Sequence, residues 1–328
     1  MNGPLVVEVT RGWVVESRHQ VIAAVVDVAG AVIRSHGEGA TPVAPRSAVK
    51  SLQALRLVGS GAAAAFELDD EHLALACASH SGEPGHVALV ESWLARLDLT
   101  PDDLECGPSL PRDPAASAAH VASGGQAERV LHNCSGKHAG FLTLARHLGV
   151  EPRGYLGPTH PVQEEVLAAL AAAAEVGGET DRLLVDGCGA PVLVLPLERL
   201  ARAMAAMVNP DAGWAEDASR LRTAIRSAPW YVAGTDRLDT RVAEALDGAG
   251  FVKWGAEGVY VAALAELGLG VAVKALDGAR RAAEAAIVHL LVELGAIERE
   301  GPLADLVRPP VTNSTGDVVG EIRVQPVQ

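Results

Sequence analysis

Ser47 and Lys50 stand three residues apart in "APRSAVKSLQALRLVG", at the head of a largely apolar run. A helix beginning near Pro45 brings both side chains to one face, one turn apart. A serine hydroxyl is a weak nucleophile until a neighbouring base takes its proton, and a lysine serves once burial and a positive field lower its pKa. Moving an amine from about 10.4 to near 7 takes about 4.6 kcal/mol, within the reach of burial aided by the partial charge of a helix N-terminus. Lysine is scarce in this chain: of 27 basic residues only Lys50, Lys137, Lys253 and Lys274 are lysines, the rest arginines. A GC-rich coding background explains that bias. It still makes each retained amine informative, because arginine is held charged and cannot act as a base.

Four further stretches carry chemistry-bearing residues. "CASHSGEPGH" (77–86) offers Ser79 and Ser81 in a turn, with Glu83 at a helix start where a first-turn acid is equally at home. "KWGAEGVY" (253–260) sets Lys253 just before a glycine turn and a strand. "HNCSGKHAGFL" (132–142) packs a thiol, an amine and imidazoles into a turn opening a helix, with Ser135 a candidate N-cap. "VDGCGAPV" (185–192) presents Cys188 between glycines. Two thiolates from separate glycine-rich turns, with a nearby His or amine, suit zinc with one position left to water, although no C-x-x-C pair is present. The bland alternatives are solvated lysines, a Gly/Ser turn entering a helix, and cysteines tolerated at turns.

Penicillin-recognising serine enzymes carry Ser-x-x-Lys, a serine turn and Lys-Thr/Ser-Gly in that chain order. Ser47/Lys50, Ser79 and Lys253/Gly255 follow the same order, with Trp254 replacing the small hydroxyl residue of the β-lactam-type anion site. Taken together, "PRSAVK", "SHSGEPGH", "NCSGKHAGFL", "VDGCGAP" and "KWGAEGVY" resemble the L-asparaginase II family, the rhizobial-type, thermolabile asparaginases, over roughly residues 5–325. The resemblance implies a serine β-lactamase-like fold, a homodimer, and hydrolysis of asparagine to aspartate and ammonia. It implies Ser47 with Lys50 as nucleophile and base, Ser79 with Lys253 as a second pair, and Cys134, Lys137 and Cys188 as zinc ligands. Asp186 and His138 would line the metal site. A lysine ligand must first lose its proton. Charge complementarity adds Arg46 as a clamp for the substrate α-carboxylate and Glu83 or Glu257 as partner for its α-ammonium. Asn133 is a further substrate-binding candidate. The rivals are another serine acyl-transfer hydrolase of the penicillin-recognising fold, which gives no reason for the two cysteines and Lys137, and a non-catalytic amino-acid or zinc-binding protein.

These residues need elements to hold them. β-Rich segments at 5–10 and 13–17 and a hairpin in 20–37 open the chain. From 47 to 247 apolar residues recur at helical spacing in 86–96, 136–148, 161–174, 196–207 and 214–227. Strand signals return after Gly250, followed by an amphipathic helix in 279–298 and a tail strand at 318–325 read as a sheet edge. The expected architecture is mixed α/β. An antiparallel sheet lobe (about 1–46 and 248–328) is flanked by helices and faces a mostly helical lobe (about 47–247), with the site between them. At 328 residues, 49% hydrophobic and 21% charged, the chain can bury a large core. Its net charge of −14 disfavours nucleic acid and anionic membrane as partners. No signal-peptide pattern and no 18-residue apolar stretch is seen, and four cysteines do not make a disulfide framework, so a cytoplasmic location is expected.

Overall fold

The computed structural model describes residues 3–177 and 183–325. An antiparallel sheet runs in the order Pro310–Thr312, Val318–Val324, Leu5–Arg11, Val14–Asp27, Leu269–Ala275, Val259–Leu264, Gly250–Gly255, with Val32–His36 paired to Val14–Asp27 as an eighth strand. The long strand Val14–Asp27 organises it: its first half pairs with Leu5–Arg11 and its second with Leu269–Ala275, placing Val25 opposite Val271. N-terminal and C-terminal strands thus share one sheet, as the sequence leads one to expect.

The near-continuous apolar run at 21–26 reflects burial on both faces. Ile22, Ala24 and Val26 point into a core shared with the helical lobe, whereas Val21, Ala23 and Val25 point into a second core. That second core is closed by the helix Arg280–Glu293, with Leu238 and Val242 from the helix Leu238–Leu246. The helical lobe contains Pro84–Arg96, Ser135–Leu148, Pro161–Ala174, Leu197–Ala206 and Ala215–Ser227, each within a residue or two of its expected span.

Two expectations need correction. The tail strand Val318–Val324 is not an edge, because Pro310–Thr312 pairs on its outer side. The segment after Pro45 opens as a 3₁₀ turn, Arg46–Val49, before the α-helix Lys50–Gly59 begins. Lys253 lies within the strand Gly250–Gly255 and, as expected, comes just before the turn at residues 256–258 and the strand Val259–Leu264.

The helix Leu197–Ala206 lies directly on the sheet because Gly270 has no side chain: a Cβ there would collide with the backbone of Ala201 and Ala205. Gly270→Ala is therefore expected to lower unfolding stability by about 1–3 kcal/mol, as overpacking does. Chemical denaturation checks this, and unchanged stability would contradict the close approach.

Candidate active site

The turn carrying Ser47 is tightly wound. The Lys50 N–H donates to the Ser47 carbonyl, and side chains at i and i+3 of a 3₁₀ turn eclipse one another, so both project from the same side. Arg46, immediately before the serine, has φ 52°, a left-handed conformation that a non-glycine residue adopts only under constraint. The constraint is visible: the Arg46 guanidinium is ion-paired with Asp186. The strand bearing Lys253 abuts this turn at Gly255, where a Cβ would meet the Pro45 carbonyl at 2.5 Å and Ala48 at 3.1 Å.

Lys50 is fully buried, and its amine has no carboxylate partner among the described residues. Nζ donates to the Ala78 carbonyl, lies 3.1 Å from Ser79 Oγ and 3.1 Å from Cys134 Sγ, and is 3.5 Å from the Asn133 carbonyl. Burial brings its pKa down to about 8; the Cys134 sulfur opposes this, and the nearby amines of Lys137 and Lys253 assist it. The amine expected beside Ser47 therefore makes its hydroxyl contact with Ser79. Ser47, 7% exposed, has no side-chain hydrogen bond to Lys50 among the described residues.

Lys253 is also buried, but its partner is Asp239 Oδ1 at 3.2 Å rather than Ser79. Asp239 additionally accepts from the Trp254 N–H at 2.8 Å and from Tyr260 Oη at 2.7 Å. Burial alone would raise the Asp239 pKa; Lys253 and these donors hold it below the usual carboxylate value. Sequence reading missed Asp239 because it sits in the first turn of Leu238–Leu246, where an acid is ordinary.

The sulfur cluster forms where two turns meet. Cys134 precedes the helix Ser135–Leu148, while Asp186 and Cys188 occupy the turn joining the short strands Leu183–Val185 and Pro191–Leu193. Lys137 Nζ is 3.1 Å from Cys188 Sγ, and Asp186 Oδ2 is 3.7 Å from it. A hydrogen bond from Cys188, outweighing burial and aided by Lys50, pulls the Cys134 thiol well below its ordinary pKa; the same interaction and burial push Cys188 up. Lys137 is raised despite burial, by the two sulfurs and Asp186. His138 is buried, with Nδ1 2.6 Å from Tyr155 Oη and Nε2 without a partner among the described residues. No cluster of three or more His, Cys, Asp or Glu among the described residues is arranged to hold a metal. The Lys137 amine, 3.1 Å from Cys188, offers a third donor, and two sulfurs with one nitrogen suit zinc once Lys137 and Cys188 have lost their protons.

The loop carrying Ser79 is fixed from several sides. The Ser79 N–H donates to Val232 O and the His80 N–H to Asn133 O. The Gly82 N–H donates to His80 Nδ1, so Nε2 carries the proton and donates to Ser135 Oγ at 2.9 Å. Glu83 is occupied by Ser81 Oγ at 2.6 Å and by the Thr235 N–H and Oγ1. Burial opposes its ionisation, but these donors lower its pKa. Asn133 is buried beside Cys134. Glu257 is exposed in the 256–258 turn, where its carbonyl accepts from Lys274 at 2.5 Å and its carboxylate lies over Gly278, away from the serines. The structure thus gathers Ser47, Lys50, Ser79, Asn133, Cys134, Lys137 and Cys188, brings Arg46 in through Asp186, and leaves Glu257 outside.

A sheet built from N-terminal and C-terminal strands thus meets a helical lobe at a cluster of buried amines and hydroxyls. The chain belongs to the L-asparaginase II family, whose model matches residues 7–324. Comparison with curated proteins returns no match. Similar solved structures include a β-lactamase from Mycobacterium bovis (16% identity, 84% of this chain and 95% of that one, TM-score 0.42). Another is simvastatin synthase from Aspergillus terreus (12% identity, 78% and 86%, TM-score 0.42). Superpositions this partial say nothing about what the chain does.

Zinc titrated into chelator-stripped protein is expected to bind more tightly as pH rises, because two protons must leave. Cys134→Ser and Cys188→Ser are each expected to weaken it at least ~10–100-fold, the loss typical of even outer-sphere changes. Calorimetry reads both, and equal affinity in all three proteins would exclude the sulfur site.

Proposed function

We propose that the protein is an L-asparaginase hydrolysing asparagine to aspartate and ammonia through an acyl-enzyme on Ser47. The observation that carries this reading is the buried Lys50 amine, which has no carboxylate partner among the described residues, touches Ser79 Oγ, and follows Ser47 by one 3₁₀ turn. Membership of the L-asparaginase II family supplies the substrate class.

In this mechanism neutral Lys50 accepts the Ser47 proton as the hydroxyl oxygen bonds to the side-chain amide carbon of asparagine. The Ser47 N–H, at the start of the turn, is the donor assigned to the developing oxyanion, since the Ala48 N–H is taken by the Pro45 carbonyl at 3.0 Å. The C–N bond then breaks, and the Lys50 proton passes to the departing nitrogen through Ser79 Oγ, which it already touches. Water, deprotonated by the same amine, cleaves the ester and restores Ser47. Lys253, paired with Asp239, adds to the positive field that favours neutral Lys50 and takes no direct part in proton transfer.

Cys134, Lys137 and Cys188 would hold the zinc ion, which when bound supplies a fixed positive charge and ties the turn before Ser135 to the Asp186–Cys188 turn. Tuning of substrate affinity is the role this favours over polarisation of the amide. The reading carries with it a homodimer and a cytoplasmic setting; four buried, unpaired cysteines are in keeping with a reducing compartment. Among the described residues no helix is long and apolar enough to cross a membrane.

Ammonia release from asparagine tests the proposal. Ser47→Ala is expected to lose about 10⁴-fold or more in kcat, and Ser79→Ala about 10²–10⁴-fold, the range of proton-transfer residues. Equal rates in wild type and Ser47→Ala would reject the mechanism. Lasting label on Ser47 from a fluorescent penicillin would point instead to another acyl-transfer hydrolase.

A further inference from the structure

Arg46, whose charge suits a substrate carboxylate, is already engaged by Asp186. A second guanidinium, that of Arg112, has no such partner among the described residues. The Arg112 backbone N–H donates to the Ser81 carbonyl at 2.7 Å, which ties it to the loop carrying Ser79. Its guanidinium lies 5.0 Å from the ring centroid of Trp254, the residue after Lys253. Arg112 thus spans the serine loop and the lysine strand, and Cys134, Arg237 and Arg280 are close enough to act on its charge. Arg280 packs on the same indole at 5.1 Å, but it holds Glu284 at 2.7 Å. Arg112 has no carboxylate within ion-pair distance among the described residues and is open to solvent.

The two facts fit together chemically. An indole face orients a guanidinium by cation–π contact while leaving its N–H edges free, and those edges match a carboxylate with two parallel hydrogen bonds. In penicillin-recognising enzymes the position after the strand lysine is a small hydroxyl residue at the anion site; in this chain Trp254 occupies it. An anion there cannot use a hydroxyl, but the indole provides a platform for an arginine.

We propose that Arg112, seated on Trp254, binds the substrate α-carboxylate and makes the enzyme selective for amides that carry one. This rests on the asparaginase reading above and names a substrate-binding residue for it.

The test compares wild type, Arg112→Ala and Arg112→Lys on L-asparagine and on asparagine α-amide, which lacks the carboxylate. Arg112→Ala is expected to raise the asparagine KM ~10–100-fold, the loss of a charge-assisted hydrogen-bonded pair, with kcat little changed. Arg112→Lys should fall between. The KM for asparagine α-amide should not move. An unchanged asparagine KM, or an equal rise for both amides, overturns the assignment, the latter because it marks a general loss of packing on Trp254. Calorimetric titration with L-aspartate separates the two levels of the account. If wild type releases no ammonia yet binds aspartate in an Arg112-dependent way, the asparaginase reading fails and the carboxylate site stands. If aspartate binds wild type and Arg112→Ala alike, the site falls.

Discussion

An amine with no exposed surface and, among the described residues, no carboxylate beside it is the constraint on which this site depends. Lys50 meets two carbonyls, a hydroxyl and a sulfur, each able to accept a hydrogen bond from an ammonium but none, apart from the Cys134 sulfur, able to balance its charge. Holding a lysine near 8 instead of 10.5 corresponds to about 3 kcal/mol of destabilised charge. The fold supplies that through complete burial, and the surrounding elements read as the means of keeping water away: the 3₁₀ turn, the loop at 77–83 and the head of the helix Ser135–Leu148 all close on it.

Three buried lysines in one region have three environments, and the differences assign their roles. Lys253 is ion-paired with Asp239, which is itself fixed by Tyr260 and the Trp254 N–H, so its charge is held in a fixed place. Lys137 is held among two sulfurs and Asp186, which raise its affinity for a proton and must be outcompeted before a metal can use its nitrogen. Lys50 is pushed toward the neutral form. Groups whose surroundings drive their pKa values apart are how one pocket supports acid, base and electrostatic functions together.

Much of this was legible in the sequence because it is local. Helices such as Ser135–Leu148 and Pro161–Ala174 are written in apolar spacing, and the unbroken apolar run at 21–26 follows from burial on both faces of a strand. Ser47 and Lys50 are near neighbours whatever the turn type, and the five motifs pointed to the family that the comparison shows. The pairings were not legible. That Lys50 would touch Ser79 and that Lys253 would find Asp239 depends on how loops and helices distant in the chain are packed, and an acid in a first helical turn has an ordinary explanation that hides its partner. Arg112 lies in a loop with no motif around it, and only its contact with Trp254 reveals it. The tail strand was misplaced at an edge for the same reason, since its outer neighbour Pro310–Thr312 is too short to signal itself.

The most direct test is the titration of Lys50 itself. With only four lysines in the chain, isotope-labelled side-chain amines give few signals, and a Lys50→Arg variant identifies the one in question. In metal-free protein the Lys50 signal is expected to pass from ammonium to amine near pH 8. An ammonium persisting through pH 10 would contradict the account.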